Sequence, residues 1–181
     1  MKVIMINKQE RLENRLQPKI AEFREERQTL LLSTLSADGF PHISYAPFVR
    51  LEDGYYILIS EIAEHTQNLL VNKNLSFMLL EDEENCKQIF ARHRLTYKAN
   101  AEVMSRDSES WAIAIPALEA RFGDIITNLS GLSDFRLFRI EPQTGRYVRG
   151  FGKAYTVNGN DDIDFVHLEQ GHKQIKEEVN A

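Results

Sequence analysis

Two of the chain's five histidines lie near its C-terminal end, in the segment FVHLEQGHKQ at positions 165 to 174. His167 and His172 are five positions apart, so in a helix their side chains point about 140° apart around the axis. A histidine pair that binds one zinc ion from a single helical turn needs a spacing of four, as in H-E-x-x-H. Either one histidine acts alone or neither acts, since a terminal helix rich in Glu and Lys is typical of a solvated tail.

The composition is that of an ordinary globular protein. The 181 residues are 43% hydrophobic and 27% charged, and 22 basic against 27 acidic side chains give a net charge of −5 with a pI of about 5.6. This balance provides no field that attracts DNA or RNA. The first residues are too charged for a signal peptide and no apolar run approaches bilayer length, so we expect a cytoplasmic protein without nucleic-acid or membrane partners.

The chain has a single cysteine, Cys86, in the acidic stretch EDEENCKQ. One cysteine forms neither an internal disulfide nor a thiolate metal site. We therefore interpret Cys86 as an unreactive surface residue.

The N-terminal segment 9–27 has the pattern of an amphipathic helix. Its apolar residues Leu12, Leu16, Ile20 and Phe23 recur every three or four positions. Pro18 interrupts this pattern and either starts a second helix or kinks the first.

Turn dipeptides then divide a β-rich region. The dipeptide DG at 38–39 predicts a hairpin from Thr29 to Val49, and the same dipeptide at 53–54 leads into a strand from Tyr55 to Ser60. We expect these three strands to form a meander. The stretch EIAEHTQNLLVN that follows is predicted as a short helix, and LSFMLLED as a fourth strand.

The second half of the chain repeats this alternation. FARHRLTYKANAEV predicts a long fifth strand, because apolar residues from Leu95 to Val103 alternate with polar ones. A helix is expected from Ser108, its cap, to Phe122, with a bend at Pro116. FRLFRIEPQTGRYVRGFGKAYTV predicts the last hairpin, with its turn at Pro142, Thr144 and Gly145, while the glycines of GFGKA allow close strand approach.

These elements predict a mainly β fold with flanking helices. Six to seven antiparallel strands at short spacing are typical of a small closed or nearly closed barrel. Residues 1–181 are expected to form one domain, with a helical segment at 9–27 and a further segment at 163–181 after the last strand.

Several motifs together resemble a known family. TLLLSTLSADGFPHISYAPFV, SEIAEHTQNL, FARHRLTYKANAEV and GFGKAYTV resemble the haem-utilisation proteins of the HutZ/HugZ type, in order and in spacing. Those proteins are split-barrel relatives of the pyridoxamine-phosphate-oxidase-like flavoproteins. The resemblance covers about residues 29 to 172 and implies a split β-barrel.

The resemblance also implies a homodimer that holds haem b at the subunit interface. The family's axial ligand is a histidine close to the C-terminus, and the equivalent here is His172. The preceding Gly171 leaves clearance for a planar macrocycle, although it is also the residue that would end a helix before a solvated tail. His167 is interpreted as an ordinary helix residue.

Asp134, in GLSDFRLF, stands where the family carries an aspartate that hydrogen-bonds the proximal histidine from the other subunit. A carboxylate that accepts the imidazole Nδ1–H fixes the tautomer and increases electron donation to iron. The alternative is a turn aspartate that accepts local backbone N–H groups.

His65 is placed by sequence on the apolar face of the short helix, with Ile62 and Leu69 at i−3 and i+4, and is interpreted as a hydrogen-bonded core histidine. In the flavin-binding relatives this helix supplies a cation to the flavin phosphate. Here SEIAEHTQN offers only His65, Thr66 and acidic residues, which makes FMN the less favoured cofactor.

Further candidates for cofactor contacts are one threonine and three cations. Thr29 stands where the family has a threonine near the haem, or is simply a β-branched residue that opens a strand. Arg92, Arg94 and Lys98 on the fifth strand can hold haem propionates or a flavin phosphate, or they form an ordinary charged outward face.

These features suggest an enzyme, a haem-degrading oxygenase with His172 and Asp134 as its catalytic residues. It would open the porphyrin ring with O2 and an external reductant to release iron and a biliverdin-type product. A haem-delivery protein and an electron donor are the expected partners. A non-catalytic haem store or carrier and an FMN-dependent oxidoreductase remain alternatives, since the barrel is shared.

Overall fold

Within residues 2–164, the part of the chain that the computed structural model describes, nine antiparallel strands combine with four α-helices. His167, His172 and nearly all of the segment 163–181 lie outside the described residues. The helices are α1 (Lys2–Glu25), α2 (Glu64–Val71), α3 (Glu109–Phe122) and α4 (Ile125–Ser130). The strands are β1 (Thr29–Leu35), β2 (Pro41–Pro47), β3 (Val49–Leu51), β4 (Gly54–Ser60), β5 (Asn74–Leu80), β6 (Arg94–Met104), β7 (Phe135–Val148), β8 (Ala154–Asn158) and β9 (Ile163–Asp164).

The strands form one sheet in the order β2-β1-β5-β6-β7-β4-β3, with β8 on β7 and β9 on β8. β7 is long enough to pair with β4 through its first half and with β8 through its second half, while β6 runs along its other edge. The sheet therefore curls into a half barrel flanked by helices. This confirms the predicted split-barrel fold, with β3 and β9 as two short strands that the sequence did not indicate.

The predicted three-strand meander is wrong, because β4 pairs with β3 and β7 instead of β2. β4 reads GYYILIS, and all of its residues except Ser60 are buried. A strand that is apolar on both faces must be packed on both faces. A position beside β2 would leave one face of β4 unpacked.

The two faces of β4 define two hydrophobic clusters. The interior of the half barrel contains Tyr55, Ile57, Phe77 and Tyr97, covered by the α1 stripe Leu16–Ile20–Phe23. The opposite face carries Tyr56, Leu58 and Leu137, covered by α3 and α4 through Ala114, Leu118 and Ile126. The sheet is thus packed on both sides where β4 meets β7.

α1 is one helix that continues through Pro18, so the prediction of a second helix that begins there is wrong. A proline within a helix costs roughly 3 kcal/mol. Leu16, Ile20 and Phe23 are almost completely buried on the barrel, and this packing offsets that cost. None of the helices within residues 2–164 is both long and apolar enough to cross a bilayer.

The predicted turn at Pro142–Gly145 is also wrong, because β7 continues through it to Val148. A Cβ atom at Gly145 would collide with Thr96 O and the Tyr97 ring, so this glycine allows close strand approach, beside a register irregularity between Lys98 and Ala99. The real turn lies at 149–153, where Gly150 and Gly152 adopt positive φ angles of 139° and 68°.

Other local predictions are confirmed. Gly39 has a φ of 85° in the turn between β1 and β2. The Ser108 hydroxyl caps α3 and accepts a hydrogen bond from Trp111 N at 3.2 Å. β6 begins at Arg94, however, so Arg92 lies in the preceding loop and not on the strand as predicted.

Candidate functional site

Asp134 lies at the corner where the chain enters β7, next to the end of β4. The pairing of Ser60 with Phe135 brings the two chain segments together. Ser60 Oγ donates a hydrogen bond to Asp134 Oδ2 at 2.7 Å, and Glu61 N donates to the Asp134 carbonyl oxygen, also at 2.7 Å. The carboxylate therefore has a fixed direction, and its partner is a side chain distant in sequence, not the local backbone N–H groups of the predicted alternative.

The loop that carries Asp134 is held by Arg106. This guanidinium donates to the carbonyl oxygens of Ser130 and Leu132 and, at 3.0 Å, to that of Phe135. It also lies over the Trp111 ring, 4.7 Å from the centroid. Three carbonyl groups on both sides of Asp134 are thus bound by one rigid fork of donors.

The remaining hydrogen-bonding capacity of Asp134 determines what this corner can do. Within residues 2–164, Ser60 is the donor to Oδ2, and no described group donates to Oδ1. A carboxylate oxygen accepts more than one hydrogen bond. The arrangement can therefore accept an N–H group, such as that of an imidazole, from a ligand or from another chain.

His65 is half-buried and engaged with β2. Its Nδ1 lies 2.9 Å from Ser44 Oγ. Burial, and secondarily the nearby His42, lower the pKa of His65, so its imidazole is neutral at pH 7. Ile62 precedes α2 and is 87% exposed, so the predicted apolar face around His65 is wrong with respect to Ile62.

α2 and its surroundings offer little to a phosphate group. The helix reads EHTQNLLV, without Lys or Arg. Glu61, just before it, forms an ion pair with Arg136. This donor set does not fit a flavin phosphate at α2, in agreement with the sequence-based preference against FMN.

The predicted cations lie near the start of β6. Arg92 donates through Nε to Glu81 O at 3.0 Å and through Nη1 to Glu83 Oε1 at 3.1 Å. Arg94 donates to Arg92 O at 3.2 Å. Arg92 therefore stabilises its own loop, whereas the outer face of β6 carries the exposed Lys98.

The structure does not bring all the candidate residues within 2–164 together in one chain. Thr29 opens β1 and is exposed, on the same side of the sheet as Arg94. In the register of β6 with β7, Arg94 faces Val148 and Met104 faces Leu137, so Asp134 lies beyond the opposite end of β6. Arg94 and the carboxylate are thus separated by the length of an eleven-residue strand, roughly 33 Å when extended.

Sequence reasoning did not single out His93. Its ring lies 4.0 Å from the Phe23 ring and 5.0 Å from the Tyr147 ring. Its Nε2 is buried without a hydrogen-bond partner among the described residues. Burial, and then the charge of Arg149, lower the pKa of His93 to about 4. The alternation His93–Leu95–Tyr97 could have indicated that this histidine points inward.

A second carboxylate, Asp161, is enclosed in the barrel. Tyr97 OH donates to Asp161 Oδ1, and Arg24 Nη1 pairs with Oδ2. The side chains of Arg24 and Asp161 are only 14% and 15% exposed. Burial, and then the Asp161 charge, raise the pKa of Tyr55 to about 12 and also raise that of Tyr97. This interior cluster connects α1 and β6 to the turn between β8 and β9.

Comparison with known proteins decides the family. The model of the family described as pyridoxamine 5'-phosphate oxidase matches residues 16–149. The chain belongs to this family. It is 55% identical over 168 residues to the heme oxygenase HutZ of Vibrio cholerae, an alignment that covers 93% of this chain and 96% of that protein. The predicted resemblance to the HutZ/HugZ type is confirmed.

Solved structures of family members agree with this fold. The crystal structure of HutZ from Vibrio cholerae, described there as a heme storage protein, is 53% identical, covers 71% of this chain and 90% of its own, and has a TM-score of 0.69. The crystal structure of Campylobacter jejuni ChuZ is 34% identical, covers 90% of this chain and 67% of its own, and has a TM-score of 0.81.

Proposed function

We propose that this protein binds haem and degrades it oxidatively for the use of its iron. The observation that carries the proposal is the 55% identity to a protein named heme oxygenase, over nearly the full length of both chains. Haem b is both the ligand and the substrate. With O2 and an external reductant it yields free iron and a biliverdin-type product, by chemistry that belongs largely to the porphyrin iron itself.

His172 is the proposed axial ligand, and Asp134 is the proposed partner of its imidazole. Asp134 Oδ1 would accept the Nδ1–H, which would fix the tautomer so that Nε2 is available to hold the haem iron. The hydrogen bond also makes the imidazole a stronger electron donor. The fixed Asp134 loop and its available carboxylate oxygen support this role.

We propose that two copies of the chain complete each site. Within one chain Asp134 and Arg94 lie at opposite ends of β6, so one subunit does not enclose a ligand between them. The outer face of β1 and β2 is apolar and exposed: Ile43 is 76% and Tyr45 65% exposed, and Tyr45 pairs with Leu31. A homodimer that covers this face and joins Asp134 of one subunit to His172 of the other satisfies both observations.

The remaining candidates take supporting roles around the propionates. Arg94 and Thr29 are proposed to contact haem from the other end of the sheet, with Arg92 as the residue that supports Arg94 through its carbonyl group. His65 is proposed to line the site as a neutral imidazole. A cytoplasmic location, a haem-delivery protein and an electron donor complete the proposal.

Haem titration of the wild type beside His172→Ala tests this function. The variant is expected to lose the imidazole-ligated Soret spectrum and to bind haem far more weakly. Equal Soret maxima and affinities would show that His172 is not the ligand. Ascorbate in air then separates degradation from storage: loss of the Soret band with chelatable iron indicates an oxygenase, and a persistent band indicates a store.

Two alternatives have specific support. The HutZ crystal structure is described as that of a heme storage protein, which favours the store. The family name favours a flavin enzyme, although α2 lacks a phosphate-binding cation. Denaturing freshly purified protein and measuring flavin fluorescence in the supernatant tests the second alternative.

A further inference from the structure

Ser60 is the residue through which the barrel contacts the Asp134 carboxylate. Its hydroxyl oxygen accepts a hydrogen bond from Ile62 N at 3.2 Å and donates to Asp134 Oδ2 at 2.7 Å. A hydroxyl has a single proton. Because the Ile62 N–H occupies an acceptor position of Oγ, the hydroxyl is oriented with its proton toward Asp134.

The main chain around Asp134 is held beside this contact. Glu61 N binds the Asp134 carbonyl oxygen, and Arg106 binds carbonyl oxygens before and after Asp134. Oδ2 is therefore the oxygen committed to Ser60, and Oδ1 is the oxygen presented to an incoming donor. The pairing of β4 with β7 places the two residues next to each other although they are 74 positions apart.

We propose that Ser60 is a positioning residue that sets how strongly Asp134 accepts a hydrogen bond from the axial histidine. This inference rests on the proposed function, because it needs an imidazole at Oδ1. A donor on one carboxylate oxygen draws electron density from the other and weakens it as an acceptor. Ser60 thus weakens the hydrogen bond that Asp134 accepts from the imidazole.

The test measures the iron–histidine stretching frequency of the ferrous, haem-loaded full-length protein by resonance Raman spectroscopy. Ser60→Ala removes the donor, so the band is expected to move to higher frequency, and the haem reduction potential to become more negative. Asp134→Ala is expected to move the band in the opposite direction. A purely structural role of Ser60 predicts no systematic shift of this band.

Matched variants keep the result interpretable if Ser60→Ala affects folding. Ser60→Thr retains the hydroxyl and is expected to resemble the wild type, whereas Ser60→Val has the same shape without the donor and is expected to resemble Ser60→Ala. In an Asp134→Ala background, Ser60→Ala is expected to have no effect on the frequency, because its target is absent.

The outcomes separate a failure of this inference from a failure of the proposed function. If Asp134→Ala moves the band and neither Ser60→Ala nor Ser60→Val does, Ser60 has no tuning role and the inference is overturned. If Asp134→Ala leaves the band unchanged, the proposed role of Asp134 is wrong. A response of the Thr variant equal to that of the Val variant also overturns the inference, because shape and not the donor would then be responsible.

Discussion

Asp134 and Asp161 are two carboxylates with opposite surroundings. Asp161 lies in the barrel interior with one oxygen bound by Tyr97 and the other by Arg24. Asp134 lies half-buried at the corner of β4 and β7, with Ser60 on one oxygen and no described donor on the other. A carboxylate with donors on both oxygens therefore stabilises the fold, whereas a carboxylate on a rigid loop with one oxygen free of described donors is available to a ligand.

The largest expected effect concerns whether Asp134, in the proposed homodimer, serves its own subunit or the other one. Co-expressed, differently tagged His172→Ala and Asp134→Ala subunits are expected to recover haem degradation, although each homodimer has lost it. If ligand and carboxylate come from different subunits, one of the two sites in each mixed dimer is intact. The activity of dimers purified through both tags measures this.

The mirrored control combines a His172→Ala/Asp134→Ala double variant with the wild type. With shared sites this dimer has no intact site, whereas sites within one subunit would leave one. Activity in the control, together with inactivity of the first mixture, would place both residues in the same chain.

Stability should distinguish the two aspartates. Asp161→Ala is expected to lower the free energy of unfolding by about 3 kcal/mol, since it removes the buried carboxylate that pairs with the Arg24 charge. Asp134→Ala is expected to cost about 1 kcal/mol or less, because it removes one hydrogen bond at a half-exposed site. Urea denaturation of the two apoproteins measures both values, and equal losses would contradict the comparison.

We also expect the free energy of unfolding to depend on pH, because His93 changes its pKa on folding. Its pKa is lowered from 6.5 to about 4 in the folded protein, so the unfolded chain binds a proton first as the pH falls. The contribution of His93 to the free energy of unfolding is therefore fully present above about pH 6.5 and is lost between pH 6.5 and 4. Because His93 is half-buried, we expect this decrease to be no more than about 2 kcal/mol.

His93→Phe provides the matched control for this pH effect. It retains a ring against Phe23 and Tyr147 but cannot titrate. Its stability is expected to change less than that of the wild type between pH 6.5 and 4. Parallel curves for the two proteins would exclude His93 as the cause.

The smallest expected effect is that of Arg106→Lys. The ammonium group cannot bind three carbonyl groups as the guanidinium fork does, so we expect a loss of about 1 kcal/mol or less at this exposed site. Haem degradation is expected to decrease more than stability does, because the loop that carries Asp134 is less firmly held. Chemical denaturation measures the loss of stability, and the ascorbate assay on the same preparation measures the loss of haem degradation. A loss of stability without a loss of haem degradation would show that the position of the Asp134 loop does not depend on Arg106.

Local chemistry made much of the fold predictable. The DG dipeptides, the Ser108 cap and the alternation of β6 each depend on neighbouring residues, and the structure bears them out. The glycines were harder: Gly145 was predicted as a turn residue and Gly150 as a point of close approach, and the structure reverses the two roles. A glycine can serve either purpose, and only the strand register decides between them.

The candidate site was predictable only in part for a related reason. Asp134 was predicted by resemblance, and its catalytic role stays a prediction. Ser60 was missed because its partner is 74 positions away, and nothing in the pattern of GYYILIS indicates a contact with the entrance of β7. Such pairings depend on sheet topology, which the expected meander had wrong.

β9 limits the distance that the C-terminal segment can span. Asp164 is paired with Thr156 at the edge of the sheet, and His172 follows eight positions later. Eight residues reach at most about 28 Å even when fully extended, so the Cα atom of His172 cannot lie farther than that from the Cα atom of Asp164. A metal that His172 binds must therefore lie within that reach plus the length of one imidazole side chain.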